Sequence, residues 1–152
     1  MHRFLQSFWD NILEPMLQRP KQLQMAALCH RGDGARREYL LVTSRDTARW
    51  IIPKGWPIRG LTASETALRE AWEEAGVIKG KATNQPIGSY TYQKRRSRGL
   101  ELPVETLVYS VAVKHLAEEF PEAHERDRKW VSATTAAELV NEAELKQIFE
   151  QQ

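Results

Sequence analysis

The segment from Thr62 to Gly76 is a helix with both ends written into it. Thr62 and Glu65 have the spacing of a capping box, in which each side chain satisfies the other residue's backbone N–H. Gly76 suits the left-handed position that ends a helix, so the spacing predicts a helix over 63–75. At 3.6 residues per turn, Leu68, Ala71, Trp72 and Ala75 form an apolar stripe, and Glu70, Glu73 and Glu74 cluster nearly opposite it. Those three acids are unusual, because the helix dipole already places partial negative charge at this end and like charges three or four residues apart repel. Arg69, four residues from both Glu65 and Glu73, can brace the acids from the side. A bound cation makes sense of the crowding. Three carboxylates offer hard oxygen donors, which suits Mg²⁺ or Mn²⁺, and Mg²⁺ held this way keeps open positions for phosphate.

The flanking sequence supplies strands on both sides of this helix. "LQMAALCH" and "EYLLVTSR" read as strands joined by the glycine-rich turn "RGDGARR", whose Gly and Asp are turn residues rather than an adhesion motif. "RWIIP" is a short strand that must end at Pro53, with a loop from Lys54 to Leu61 leading into the helix. After Gly76, "PIGSYTYQ" and "VETLVYSVAVKHL" form a second hairpin around the basic connection "KRRSRGLELP". "RKWVS" is a last strand, and "TTAAELV" with "EAELKQIFE" give one or two C-terminal helices. This order predicts an α/β (α+β) fold, a mixed sheet sandwiched between helices.

The chain of 152 residues is long enough for one such domain and short for two. Residues 1–20, "MHRFLQSFWDNILEPMLQRP", carry Phe4, Leu5, Phe8, Trp9, Ile12, Leu13, Met16 and Leu17 on a helical period, which predicts an additional N-terminal amphipathic helix ahead of a domain over 21–152. Asp10, Asn11 and Glu14 interrupt it before it could span a membrane. Its uses are docking on the domain, pairing with a second copy in a homodimer, or attachment to a membrane surface. A single cysteine, Cys29, excludes an intrachain disulfide and any multi-cysteine zinc site and fits a cytoplasmic protein. The net charge of +2 decides nothing about nucleic acid, and the "KRRSR" run lacks the interleaved aromatics that stack bases, so no obligatory nucleic-acid partner is expected.

Gly55 followed by Arg69-Glu70-Ala71-x-Glu73-Glu74-x-Gly76-Val77 resembles the Nudix box. The family pattern runs Gly, five residues, Glu, seven residues, then Arg-Glu-apolar-x-Glu-Glu-x-Gly-apolar. Five fixed downstream identities at about 6% usage each coincide on the order of once in a million windows. The upstream glutamate position holds Leu61 instead, a departure that bears on the loop before the helix more than on the acids. The resemblance implies a Nudix α/β/α sandwich and a Mg²⁺-dependent hydrolase of diphosphate linkages. It implies metal held by Glu70, Glu73, Glu74 and a main-chain carbonyl of Lys54 or Gly55, and catalysis through Glu73, Glu74 and Arg69, with the identity of the proton acceptor open.

Beyond the box, "VTSRDTARWIIPKGW", "REAWEEAGVIKGK" and "ERDRKWVS" are similar to the subgroup that hydrolyses diphosphoinositol polyphosphates and diadenosine polyphosphates. That similarity implies phosphate contacts from Ser44 and Arg45, from the basic loop with Arg95 and Arg96, and from Arg126 and Arg128. Lys54 and Trp56 stand where the subgroup has more glycine, so they mark this chain's own phosphate loop; Trp56 is either a base-stacking surface or a packed loop anchor. Glu122, His124 and Glu125 lie in a late loop where some Nudix enzymes place an auxiliary base. ADP-ribose, nucleoside triphosphates and the 5′ end of RNA remain alternative substrates, and a non-catalytic domain that binds a phosphorylated ligand is the alternative of another class.

Overall fold

A computed structural model describes residues 22–95 and 99–152. The expected N-terminal amphipathic helix and Arg96 lie outside these residues. The centre of the sheet is β1 (Gln22–Arg31), which runs parallel to β7 (Glu101–Leu116) in a register from Gln22↔Val104 to His30↔Ala112. A parallel pair between strands so far apart in sequence needs a crossover, and the helix predicted from the capping signals lies within it. The other edge of β1 is shared. Its far end pairs with β2 (Glu38–Thr43) across the glycine turn, and its middle pairs with β4 (Lys54–Gly55) through Met25↔Gly55 and Ala26↔Lys54.

Strand β2 is flanked by β3 (Trp50–Ile51) and β8 (Arg128–Val131). Strand β7 carries β6 (Gly88–Arg95) along its first half and β5 (Val77–Ala82) along its second. Among the described residues the result is one mixed eight-stranded sheet. Two features depart from the sequence-based expectation. The loop after Pro53 begins with a strand, because Pro53 lends its carbonyl to the Ala27 N–H at 2.9 Å and so brings Lys54 and Gly55 against β1. Strand β5 was not foreseen: "VIKGKA" carries two lysines and a glycine, and its pairing with β7 shifts register twice.

Alternation along β1 separates two cores. Ala26 and Leu28 face the layer made by α2 (Ala133–Leu139) and α3 (Ala143–Glu150), where Tyr39 meets Phe149 edge to face at 5.5 Å. Met25, Ala27 and Cys29 face α1 (Ala63–Ala75) on the other side. Helices on both faces of a mixed sheet make the expected α/β/α sandwich.

Helix α1 begins with the capping box in place and ends at Gly76 in the left-handed conformation, φ +76°. Its buried face is Ala67, Ala71 and Ala75, small residues four apart that let the helix approach β1 closely. Leu68 and Trp72 sit at the edge of this face, half-buried. The apolar stripe is therefore rotated from its expected position, and the rotation carries Glu74 into the interior, ~60° around the helix from Ala71.

Candidate active site

A cleft of about 1180 Å³ opens between α1, β4, the turn after β2, the ends of β6 and β7, the loop before β8 and the start of α3. Its lining includes Ser44, Arg45, Lys54, Trp56, Glu70, Glu73, Glu74, Arg95 and Arg126. The structure therefore gathers residues from four distant stretches of chain. Arg69 is exposed on α1 and does not line the cleft; its candidate partner Glu65 is engaged in the cap, accepting from the Thr62 N–H at 2.9 Å.

The three glutamates differ in environment. Glu74 is buried; its Oε2 accepts from the Lys54 N–H at 3.1 Å and its Oε1 from Arg126 Nη2 at 3.2 Å. Burial pushes its carboxyl up to about 7, and the attraction of Arg126 and Lys54 offsets only part of that. Glu70 lies against Gly55, and its carboxyl is likewise raised to about 7 by burial and then by repulsion from Glu74, Glu73 and Glu122. Glu73 is half-buried, and its backbone carbonyl accepts from the Glu122 N–H at 3.0 Å, which docks the late loop onto the helix.

Among the described residues no three His, Cys, Asp or Glu side chains are assembled into a metal shell. Glu74 is instead taken up by Arg126 and Lys54. The donor set nevertheless fits a hard divalent cation: all donors are oxygens, the carboxylates repel one another, and Gly55 leaves room for Glu70 at the main chain.

The basic residues divide into those that face the cleft and those that hold the fold. Lys54 places its ammonium 4.7 Å from the Tyr92 ring, and burial holds it below the usual lysine range against the attraction of Glu74 and Glu142. Lys94 lies 5.7 Å from the Trp56 ring, and Arg95 is exposed beside Glu101 at 3.7 Å. Arg45 reaches Glu122 at 3.1 Å and Glu125 at 3.5 Å. Ser44 shapes the turn that presents Arg45, since its Oγ accepts from the Arg49 N–H at 3.0 Å.

Arg128 does not line the cleft, contrary to its expected phosphate contact. Its Nη1 donates to the Ala75 carbonyl at 2.7 Å and its guanidinium stacks 4.9 Å from the Phe120 ring, so it caps the negative end of α1. Sequence reading also missed Gln24, Tyr92 and Glu142 in the wall. The Tyr92 hydroxyl donates to Gln24 Oε1 at 2.6 Å, and Glu142 stands at the start of α3. The Tyr90/Tyr92 alternation in β6 puts both rings on one face, but nothing in the sequence says that the start of α3 lines the same cleft as α1's acids.

The α/β/α sandwich thus carries three helix-borne carboxylates at a cleft lined by both acidic and basic side chains. Residues 20–152 match the NUDIX domain, and the chain belongs to the Nudix family. It is 33% identical over 108 residues to Nudix hydrolase 12, mitochondrial, of Arabidopsis thaliana, covering 67% of this chain and 51% of that protein. It is 30% identical over 117 residues to diphosphoinositol polyphosphate phosphohydrolase 2 of Mus musculus, covering 76% of this chain and 60% of that protein. The chain thus spans about half to three-fifths of the length of these relatives. A C. elegans Ap4A hydrolase shares the fold with a TM-score of 0.62 at 20% identity, covering 87% of this chain and 96% of that one. The NUDIX domain of Shewanella oneidensis NrtR, solved with ADP ribose, gives 0.65 at 18% identity, covering 96% and 94%. No helix among the described residues is long and apolar enough to cross a membrane. The names of two plant relatives place them in mitochondria and chloroplasts, so the comparisons give no support to the expected cytoplasmic location.

Proposed function

We propose that this chain is a Mg²⁺-dependent pyrophosphohydrolase that cleaves a diphosphate linkage in a highly phosphorylated small molecule, a dinucleoside polyphosphate or a diphosphoinositol polyphosphate. The observation that carries this is the convergence of Glu70, Glu73 and Glu74 with Arg45, Lys54 and Arg95 on one cleft, with Gly55 against the Glu70 carboxylate. The described lining holds six basic and seven acidic side chains, a balance that repels a polyanion until a cation is added. Glu70, Glu73, Glu74 and the Gly55 carbonyl would hold Mg²⁺, or Mn²⁺ in its place. When bound, the cation supplies neutralisation of phosphate oxygens and activation of water.

The chain's own groups do the remaining work. Arg45, presented by the Ser44 turn, and Arg95 bind and orient phosphate oxygens; the half-buried Lys54 side chain stabilises charge that develops as the P–O bond breaks. One carboxylate of the triad takes the proton of the attacking water. Trp56 and Tyr92 border the part of the cleft left for the rest of the substrate. The relative named for diphosphoinositol polyphosphates supports one of the two substrate types, and the polar, aromatic wall supports a nucleoside end for the other.

The test is a panel of diadenosine tetraphosphate, diphosphoinositol pentakisphosphate, ADP-ribose and ATP assayed with Mg²⁺ and with EDTA. Cation-dependent turnover of one of the first two supports the proposal. Binding without turnover of any compound returns the chain to a ligand-sensing domain.

A further inference from the structure

We propose that Arg126 is a positioning residue for the cleft's carboxylates and not one of its phosphate-binding cations, an inference that rests on the function proposed above. Its side chain is 6% exposed although it stands in the cleft wall. Nη1 donates to the Thr43 carbonyl at 2.9 Å, and Nη2 donates to Glu74 Oε1 at 3.2 Å and to Glu122 Oε1 at 3.3 Å. The remaining nitrogen, Nε, is buried with no partner. With three of its five N–H donors committed and its side chain 6% exposed, this guanidinium is turned to the protein rather than to the open cleft.

What it does instead follows from the segments it joins. Thr43 ends β2, Glu74 belongs to α1, and Glu122 lies in the loop before β8. The backbone around Arg126 is itself pinned: the Asp127 N–H donates to Thr43 Oγ1 at 2.9 Å, and the Thr43 N–H to the Asp127 carbonyl at 3.0 Å. Glu122 in turn receives Arg45 Nη1 at 3.1 Å, and Arg45 is 59% exposed in the cleft. One buried cation therefore keeps two carboxylates apart in charge but fixed in place, and through Glu122 it holds the arm that meets phosphate. Only the planar guanidinium serves three acceptors in fixed directions; an ammonium is a compact point charge on a flexible stem.

Removing Arg126 leaves Glu74 and Glu122 facing each other without a cation between them. Arg126→Met should lower kcat for diadenosine tetraphosphate by about 10- to 100-fold and raise the Mg²⁺ concentration for half-maximal rate, with KM rising no further than it does in Glu122→Gln. Arg126→Lys should recover only part of kcat, and Glu122→Gln should raise KM through Arg45 while leaving the Mg²⁺ requirement near that of the unaltered chain. A second readout is independent of turnover: the rise in thermal midpoint produced by Mg²⁺ should shrink in Arg126→Met and persist in Glu122→Gln. Should Arg126→Met fail to fold, Arg126→Lys carries the same comparison.

A rise in KM with kcat intact in either Arg126 variant overturns the proposal and makes Arg126 a substrate contact. Unchanged kinetics and an unchanged Mg²⁺ response overturn it as an idle ion pair. If the unaltered chain turns over none of the diphosphates, the proposed function fails, and the Mg²⁺-induced shift in midpoint still decides the role of Arg126.

Discussion

The carboxylate of Glu70 packs directly on the α-carbon of Gly55, and a Cβ added at Gly55 would overlap that carboxylate. The main chain of β4 and the helix-borne acid can share one corner of the cleft only because residue 55 has no side chain. Gly55→Ala should therefore displace Glu70 and lower turnover by about 100-fold, the scale set by a displacement of ~1 Å at a reacting centre. Because the overlap is with the end of a flexible side chain that can swing away, stability should change by less than about 1 kcal/mol. Steady-state kinetics and thermal unfolding of this variant check both, and wild-type turnover would show that Glu70 is not held at the site by this contact.

Acidity at the cleft should show in stability. The Glu70 and Glu74 carboxyls lie at about 7 in the folded chain against a usual value of 4.5, so between those values the folded state binds more protons than the unfolded one. Their contribution is full below the unfolded value and is lost as pH rises through about 7. In EDTA the thermal midpoint should fall between pH 5 and pH 8, and Glu70→Gln or Glu74→Gln should flatten the fall. Mg²⁺ should raise the midpoint more at pH 8 than at pH 5.5, since the cation competes with protons for the same oxygens. A midpoint that rises over this range with EDTA present would contradict the burial of both acids.

Two arginines expected at the substrate have different structural positions and should behave differently. Arg95→Ala should raise KM by about 5-fold at low ionic strength, the worth of an exposed charge contact of ~1 kcal/mol. The difference should shrink as salt is added. Arg128→Ala should leave KM alone and cost about 1–2 kcal/mol of stability through the uncapped end of α1. Kinetics in two salt concentrations, with unfolding curves for both variants, separate the roles.

Much of this arrangement was legible because local signals were strong and agreed. Thr62, Glu65 and Gly76 bound the helix, and the spacing of Glu70, Glu73 and Glu74 placed the acids together on it. Strand alternation carried both hairpins and the two-sided core. The losses came where long-range packing decided. The pairing of Lys54–Gly55 with β1 and the bulged β5 depend on what β1 and β7 offer as partners. The direction of Arg126 and Arg128 depends on which carbonyls lie nearby, since Arg126 stands in the loop and Arg128 opens β8, each with its own partner. Periodicity alone gave the acids an outward face; the row of alanines rotated α1 and buried Glu74.

On the proposed function, the α1 carboxylates make this cleft a site of cation-dependent phosphoanhydride cleavage. The direct measurement is product release from diadenosine tetraphosphate and diphosphoinositol pentakisphosphate by the unaltered chain and by Glu74→Gln, each with Mg²⁺ and with EDTA. The unaltered chain should turn over at least one substrate with Mg²⁺ and none with EDTA, and a folded Glu74→Gln variant should lose turnover. Equal turnover by Glu74→Gln, or turnover that is indifferent to EDTA, would contradict it.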